Sequence, residues 1–185
     1  MPTAQKCHAP RARNRNAWAF SPLQSITRKK NFIFMPQSLS KVYLHLVFHV
    51  KTRCPRLLEE DLEKIHQYIG QLANDANCQA IRVGGTKDHV HILCLLSRDI
   101  TIAKLVEDIK RNSSRWIKSI RNEYRLFCWQ NGYAVFSVSQ SVVQKTAEYI
   151  DKQKEHHKKF NFKEEYIKFL QLYQINYNDK YVLED

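Results

Sequence analysis

The sequence predicts an α+β domain: a four-stranded antiparallel sheet with two helices on one face, followed by a helix bearing a tyrosine and one short further helix. Three observations carry this. Short segments rich in β-branched and aliphatic residues recur four times, the clearest of them alternating faces with the strand period of two. Two longer segments carry apolar residues at three- and four-residue spacing, the mark of an amphipathic helix. The order of these segments is strand, helix, strand, strand, helix, strand. That is the split βαβ, ferredoxin-like order, shared with RRM-like modules.

The elements follow in chain order. From Lys41 to Val50, Val42, Leu44, Leu46, Phe48 and Val50 take one face and Tyr43, His45, Val47 and His49 the other, so the segment reads as a strand. Glu59 to Asn77 reads as a helix through Leu62, Ile65, Ile69, Leu72 and Ala76. Cys78 to Val83 is a second strand, and Gly84-Gly85 reads as the turn into a third, which spans His89 to Leu96. Thr101 opens a long helix with the stripe Ile102, Leu105, Val106, Ile109, Trp116, Ile117 and Ile120. Its other faces carry Lys104, Lys110, Arg111, Arg115 and Lys118. Such a run is usually a solvated face, with phosphate contact as the functional alternative. Tyr133 to Ser139 is the fourth strand, and Ser141 reads as the N-cap of a helix running to about Lys158. Lys163 to Tyr173 is a last short helix carrying Ile167 and Leu170. The expected core thus covers about 41–139, the tyrosine helix about 141–158, and a tail 159–185.

Composition narrows the function classes. The chain has 185 residues, 43% of them hydrophobic, enough for one folded domain. A net charge of +12 points to a polyanion, nucleic acid first. Residues 1–34 hold seven basic and no acidic residues and lack periodicity. They read as a disordered extension before Met35, which is expected to be the working start, with 35–185 as the working domain. Five cysteines are scattered, without Cys-x-x-Cys spacing, which favours a reducing cytosol over a disulfide framework or zinc knuckle. No apolar run is long enough to span a bilayer.

Two motifs carry chemistry. In Asp88-His89-Val90-His91 the histidines share a strand face, so two imidazoles can hold one metal ion. A bare His-x-His is more often a pair of surface histidines. In Tyr149-Ile150-Asp151-Lys152-Gln153 the tyrosine and glutamine are four apart on a helix, hence on one face, with His156 near it and His157 further round.

Together these motifs resemble the HUH endonuclease superfamily, within it the single-tyrosine transposases of small bacterial insertion sequences and their REP-associated relatives. The flanks Met35-Pro36-Gln37-Ser38-Leu39, Val83-Gly84-Gly85 and Phe136-Ser137-Val138-Ser139-Gln140 add to the resemblance, which covers about Met35 to the C-terminus. The resemblance implies a DNA transposase and single-strand endonuclease of the bacterial cytoplasm. Tyr149 would be the nucleophile, forming a 5′-phosphotyrosyl bond on single-stranded DNA that carries a hairpin at the element ends. His89, His91 and Gln153 would hold a divalent metal, Mg²⁺ or Mn²⁺, with His156 in reserve as third ligand. It also implies a homodimer in which the tyrosine helix of one subunit completes the histidine site of the other. Leu93 and Leu95 would lie on the apolar surface that such a partner covers. The alternative to that assembly is a monomer whose own helix 163–173 lies over the face. Two other functional readings stand beside the first: a non-catalytic RRM-like nucleic-acid-binding protein, which the lack of an aromatic ring beside His89 and His91 disfavours, and a domesticated relative that cuts host repeats with the same chemistry.

Overall fold

In a computed structural model, residues 39–158 and 161–178 are described, and the expectations for residues 1–34, Met35 and the tail beyond Asn178 lie outside them. The strands are β1 Tyr43–His49, β2 Gln79–Gly85, β3 His89–Leu95 and β4 Ala134–Val138. The helices are α1 Leu62–Asp75, α2 Ile102–Ile120, α3 Val143–Asp151, α4 Gln153–His156 and α5 Phe162–Leu172. The sheet order is β2-β3-β1-β4 with every pairing antiparallel, the ferredoxin-like arrangement expected.

The alternation in β1 sorts its two faces as read. Leu44, Leu46, Phe48 and Val50 join Val90, Ile92 and Cys94 of β3 in the main core, closed by Ile65 and Ile69 of α1 and Leu105, Ile109 and Ile117 of α2. The opposite face is also buried. Val47, Ala134 and Phe136 pack under Tyr166 and Leu170 of α5. Leu93 and Val138 pack under Ala147 and Ile150 of α3. Leu93 is therefore inaccessible and Leu95 half-buried, which corrects the expectation that both lie exposed beside the histidines. The apolar stripe of α5 (Phe162, Tyr166, Phe169, Leu170) recurs at helical spacing, so this helix gains by lying on the sheet.

Three local expectations change. The glycine pair ends β2 and does not form the turn, which is made by Thr86, Lys87 and Asp88. Gly85 has φ +151°, and a Cβ there would sit 2.3 Å from the His89 carbonyl oxygen, so only glycine lets β2 enter this tight turn. Second, Ser141 caps nothing: it lies in a 3₁₀ turn, Gln140–Val142, and α3 begins at Val143 without a side-chain cap. Third, the tyrosine helix is broken at Lys152 into α3 and α4. The last helix is capped by Asn161, whose side chain accepts from the Glu164 amide while Glu164 reaches back to the Asn161 amide.

The long basic helix α2 is built as expected, with Thr101 accepting from the Lys104 amide. Its cations are largely engaged. Lys104 and Arg111 pair with Glu107 and Asp108. Lys110 donates to the carbonyls of Gln130 and Gly132 at 2.9 and 2.5 Å, and burial lowers its pKa to about 8. Arg115 and Lys118 are exposed. Among the described residues no helix is long and apolar enough to cross a membrane.

Candidate active site and metal centre

The register of β1 on β3 sets His49 opposite His89, Val47 opposite His91 and His45 opposite Leu93. All of these side chains share the face covered by α3 and α5. Each β3 histidine is oriented through one ring nitrogen. His89 Nδ1 lies 2.7 Å from Asp88 Oδ1, and Thr86 donates its hydroxyl to the same carboxylate at 2.8 Å. His91 Nδ1 lies 2.9 Å from His45 Nε2. Both Nε2 atoms therefore turn toward α3, α4 and α5. A carboxylate behind a histidine fixes its tautomer and leaves the other nitrogen's lone pair for a ligand.

The residue that closes the site is Glu165 of α5. Its Oε1 accepts a hydrogen bond from the Tyr149 hydroxyl and one at 2.8 Å from Gln153 Nε2. Its Oε2 pairs with His157 Nε2 at 2.8 Å. Gln153 turns its other end to His89, with Oε1 3.2 Å from Nε2. Tyr149 and Gln153 thus converge despite the break between their helices. His89 and His91 are fully buried, Gln153 is 1% exposed and Glu165 2%. A buried carboxylate is tolerable only with donors around it, and Glu165 has three.

Ionisation follows from this packing. Burial resists the charge on Glu165, yet His157, His91 and Tyr149 outweigh it and hold the carboxyl far below its usual range. Burial, then the Glu165 carboxylate, pushes the Tyr149 phenol well above its usual value. Burial also lowers His91 to about 4, against the pull of Glu165 and with the help of neighbouring His89 and His157. His45 falls to about 3, by burial and then by His91. Burial works against Asp88, but His89, Thr86 and Arg56 bring it well below the ordinary carboxylate range. His91 and His45 are thus neutral, the state in which imidazole binds metals.

The donor set suits a divalent ion. Ligand atoms of His89, His91 and Glu165 all lie within 4.8 Å of one another. His91 Nε2 is buried and has no hydrogen-bond partner among the described residues. An orphaned nitrogen of this kind costs about 1–3 kcal/mol unless a ligand meets it. Of the two late histidines, His157 reaches the site, its ring 4.5 Å from that of His89. His156 lies against the Tyr149 ring at 5.4 Å.

Sequence reasoning missed Glu165, although a signal was present. It lies on the stripe Phe162, Glu165, Tyr166, Phe169, Leu170, where a lone acid on an apolar face needs a partner. The placement of Tyr149 depends on Gly84, opposite His91 in the sheet. A Cβ on Gly84 would stand 2.8 Å from Ile150 Cγ2 and 3.0 Å from the Ile150 carbonyl oxygen. Gly84→Ala is expected to destabilise the fold by about 1–3 kcal/mol and to lift α3 from the sheet. An unchanged denaturation midpoint would show that α3 does not pack there. Beside the site a cavity of about 580 Å³ is lined by Arg56, Lys87, Lys154, Lys158, His157 and Phe162, among others.

The comparisons with known proteins bear on family and fold. The model of the IS200-like transposase family matches residues 38–153. A candidate transposase from Deinococcus radiodurans R1 superposes with a TM-score of 0.50 at 21% identity, over 64% of this chain and 98% of the other; that likeness shows the fold. A REP-associated tyrosine transposase bound to a REP hairpin gives a TM-score of 0.49 at 13% identity, over 66% and 73% of the two chains. No curated protein matches the chain significantly. With most of its described length matched by the family model and the fold shared, the chain belongs to the IS200-like transposase family.

Proposed function

We propose that this transposase cuts and rejoins single-stranded DNA with Tyr149 as nucleophile. The observation that carries the reading is the convergence of Tyr149 and Gln153, from two short helices, on Glu165 beside a buried histidine pair, with Gln153 Oε1 meeting His89 and the Tyr149 ring 6.1 Å from that of His91. In the step, a bond forms between Tyr149 Oη and phosphorus while the bond from phosphorus to the 3′ oxygen breaks. The phenol loses its proton and the 3′ oxygen gains one. The product is a 5′-phosphotyrosyl bond and a free 3′-hydroxyl, and the covalent link conserves the energy needed for rejoining.

His89 and His91 would hold a divalent cation through Nε2, with Gln153 Oε1 beside them, and the ion, Mg²⁺ or Mn²⁺, would act as a Lewis acid on the phosphate. Asp88 keeps the His89 ring in the required tautomer, and His45 orients the His91 ring through its Nδ1. Gln153 holds Glu165 with its amide N–H while directing its oxygen at His89. The cavity carries Arg56, Lys87, Lys154 and Lys158 against Glu59 and Asp88, an excess of positive charge that suits the approach of a DNA backbone. Arg115 and Lys118, exposed on α2 across the sheet, would serve only a separate phosphate contact. The substrate is single-stranded DNA with a hairpin at the element ends, and the setting is the bacterial cytoplasm. A homodimer rests on the resemblance alone; the seating of α3 and α5 on their own sheet supports a site that is complete within each chain, whether or not two chains associate.

The test is incubation of the protein with single-stranded oligonucleotides from the flanks of its gene, with Mg²⁺ or Mn²⁺. A covalent protein–DNA adduct, mapped by peptide mass to Tyr149, is expected. Tight binding of structured RNA without any adduct on DNA would instead favour the non-catalytic module.

A further inference from the structure

Glu165 lies outside the segment matched by the family model, and the histidine, tyrosine and glutamine motifs do not call for it. We propose that Glu165 is itself a ligand of the divalent cation, so that α5 closes the metal centre as part of it. The proposal rests on the metal-centre part of the function proposed above.

Two distances motivate it. His91 Nε2 stands 3.6 Å from Glu165 Oε1, and His89 Nε2 stands 3.8 Å from Glu165 Oε2. Both are too long for hydrogen bonds. Two atoms that each lie about 2.0–2.2 Å from one ion are roughly 3–4 Å apart, the spacing found here. The buried, unpartnered Nε2 of His91 faces this gap, which is an observation independent of the carboxylate.

Charge points the same way. Two neutral imidazoles and an amide would surround a buried dication with no negative charge. A carboxylate supplies it, and magnesium and manganese prefer oxygen donors of that kind. Tyr149, Gln153 and His157 then position the ligand, since all three donate to it. As Glu165 is carried by α5, filling the metal site fastens that helix to β3.

The first test titrates the full chain with Mn²⁺, following loss of the free aqueous ion's EPR signal. His91→Ala and Glu165→Gln are each expected to weaken binding at least tenfold, while Glu165→Asp, which keeps the charge, stays closer to the parent. The second uses the unaltered protein, so it does not depend on how the variants fold. Saturating Mn²⁺ should slow amide hydrogen exchange across Phe162–Leu172. Parent-like affinity in Glu165→Gln overturns the proposal, as does exchange in α5 that ignores Mn²⁺, or a parent chain that binds none. The wider reading fails separately: a protein that binds Mn²⁺ as described yet forms no DNA adduct keeps Glu165 as a ligand and loses the proposed reaction.

Discussion

Tyr149→Phe is expected to abolish the covalent DNA adduct while leaving the fold and DNA binding in place. The substitution removes a single oxygen. Its ring stays packed against Phe169 at 5.7 Å and His156 at 5.4 Å, so α3 keeps its seat on the sheet. Glu165 loses one of three donors but retains Gln153 and His157. The expected cost in stability is therefore about 1.5–3 kcal/mol, one hydrogen bond to a charged group. The expected cost in reaction is far larger, at least roughly 10⁴-fold, because a missing nucleophile has no substitute in the site. Denaturing gels measure the adduct, and thermal melting with oligonucleotide binding controls for the fold. An adduct that persists in the Phe variant, or maps to the partly exposed Tyr133, would remove Tyr149 from the mechanism.

The sequence shows the sheet more clearly than the site. Strand alternation in β1 and helical spacing in α1 and α2 are strong because each element has one apolar face against the main core. The second sheet face misled, because nothing in β3 tells whether Leu93 meets a partner subunit or the chain's own helix. That depends on where α3 and α5 turn back, and on Gly84, whose missing side chain leaves room for Ile150. The histidine pair and Tyr149 were legible as motifs. Glu165 was not, since its role arises from contacts with residues 8, 12 and 16 positions earlier in the chain. The break at Lys152 was equally hidden. Its neighbours have ordinary helical propensities, so the sequence around it reads as a continuous helix. The basic stripe on α2 was legible as charge but not as contacts, because Glu107 and Asp108 on the same helix engage Lys104 and Arg111.

Mixing two inactive proteins should not restore activity. The first carries His89→Ala and His91→Ala and lacks the metal-binding nitrogens; the second is Tyr149→Phe and lacks the nucleophile. Assembly of each site from two subunits, as the resemblance implies, predicts recovery in a mixed dimer, with the adduct on the histidine-mutant chain. The structure places the tyrosine helix on its own sheet. Only Ser139 to Val142 separate the end of β4 from α3, and Ile150 then packs on Gly84, Leu93 and Val138 of the same chain. Tyr149 and Gln153 reach Glu165, which α5 of that chain sets against His89 and His91. Docking on a partner's sheet would break all of these contacts and expose Leu93 unless the partner's helix replaced them in kind. Each double or single variant alone should therefore yield no adduct, and the mixture should yield none after subunit exchange, with exchange itself verified by mass-tagged chains. Adduct on the histidine-mutant chain in that mixture would show that the helices cross between subunits, and would assign the contacts described above to a resting arrangement distinct from the working one.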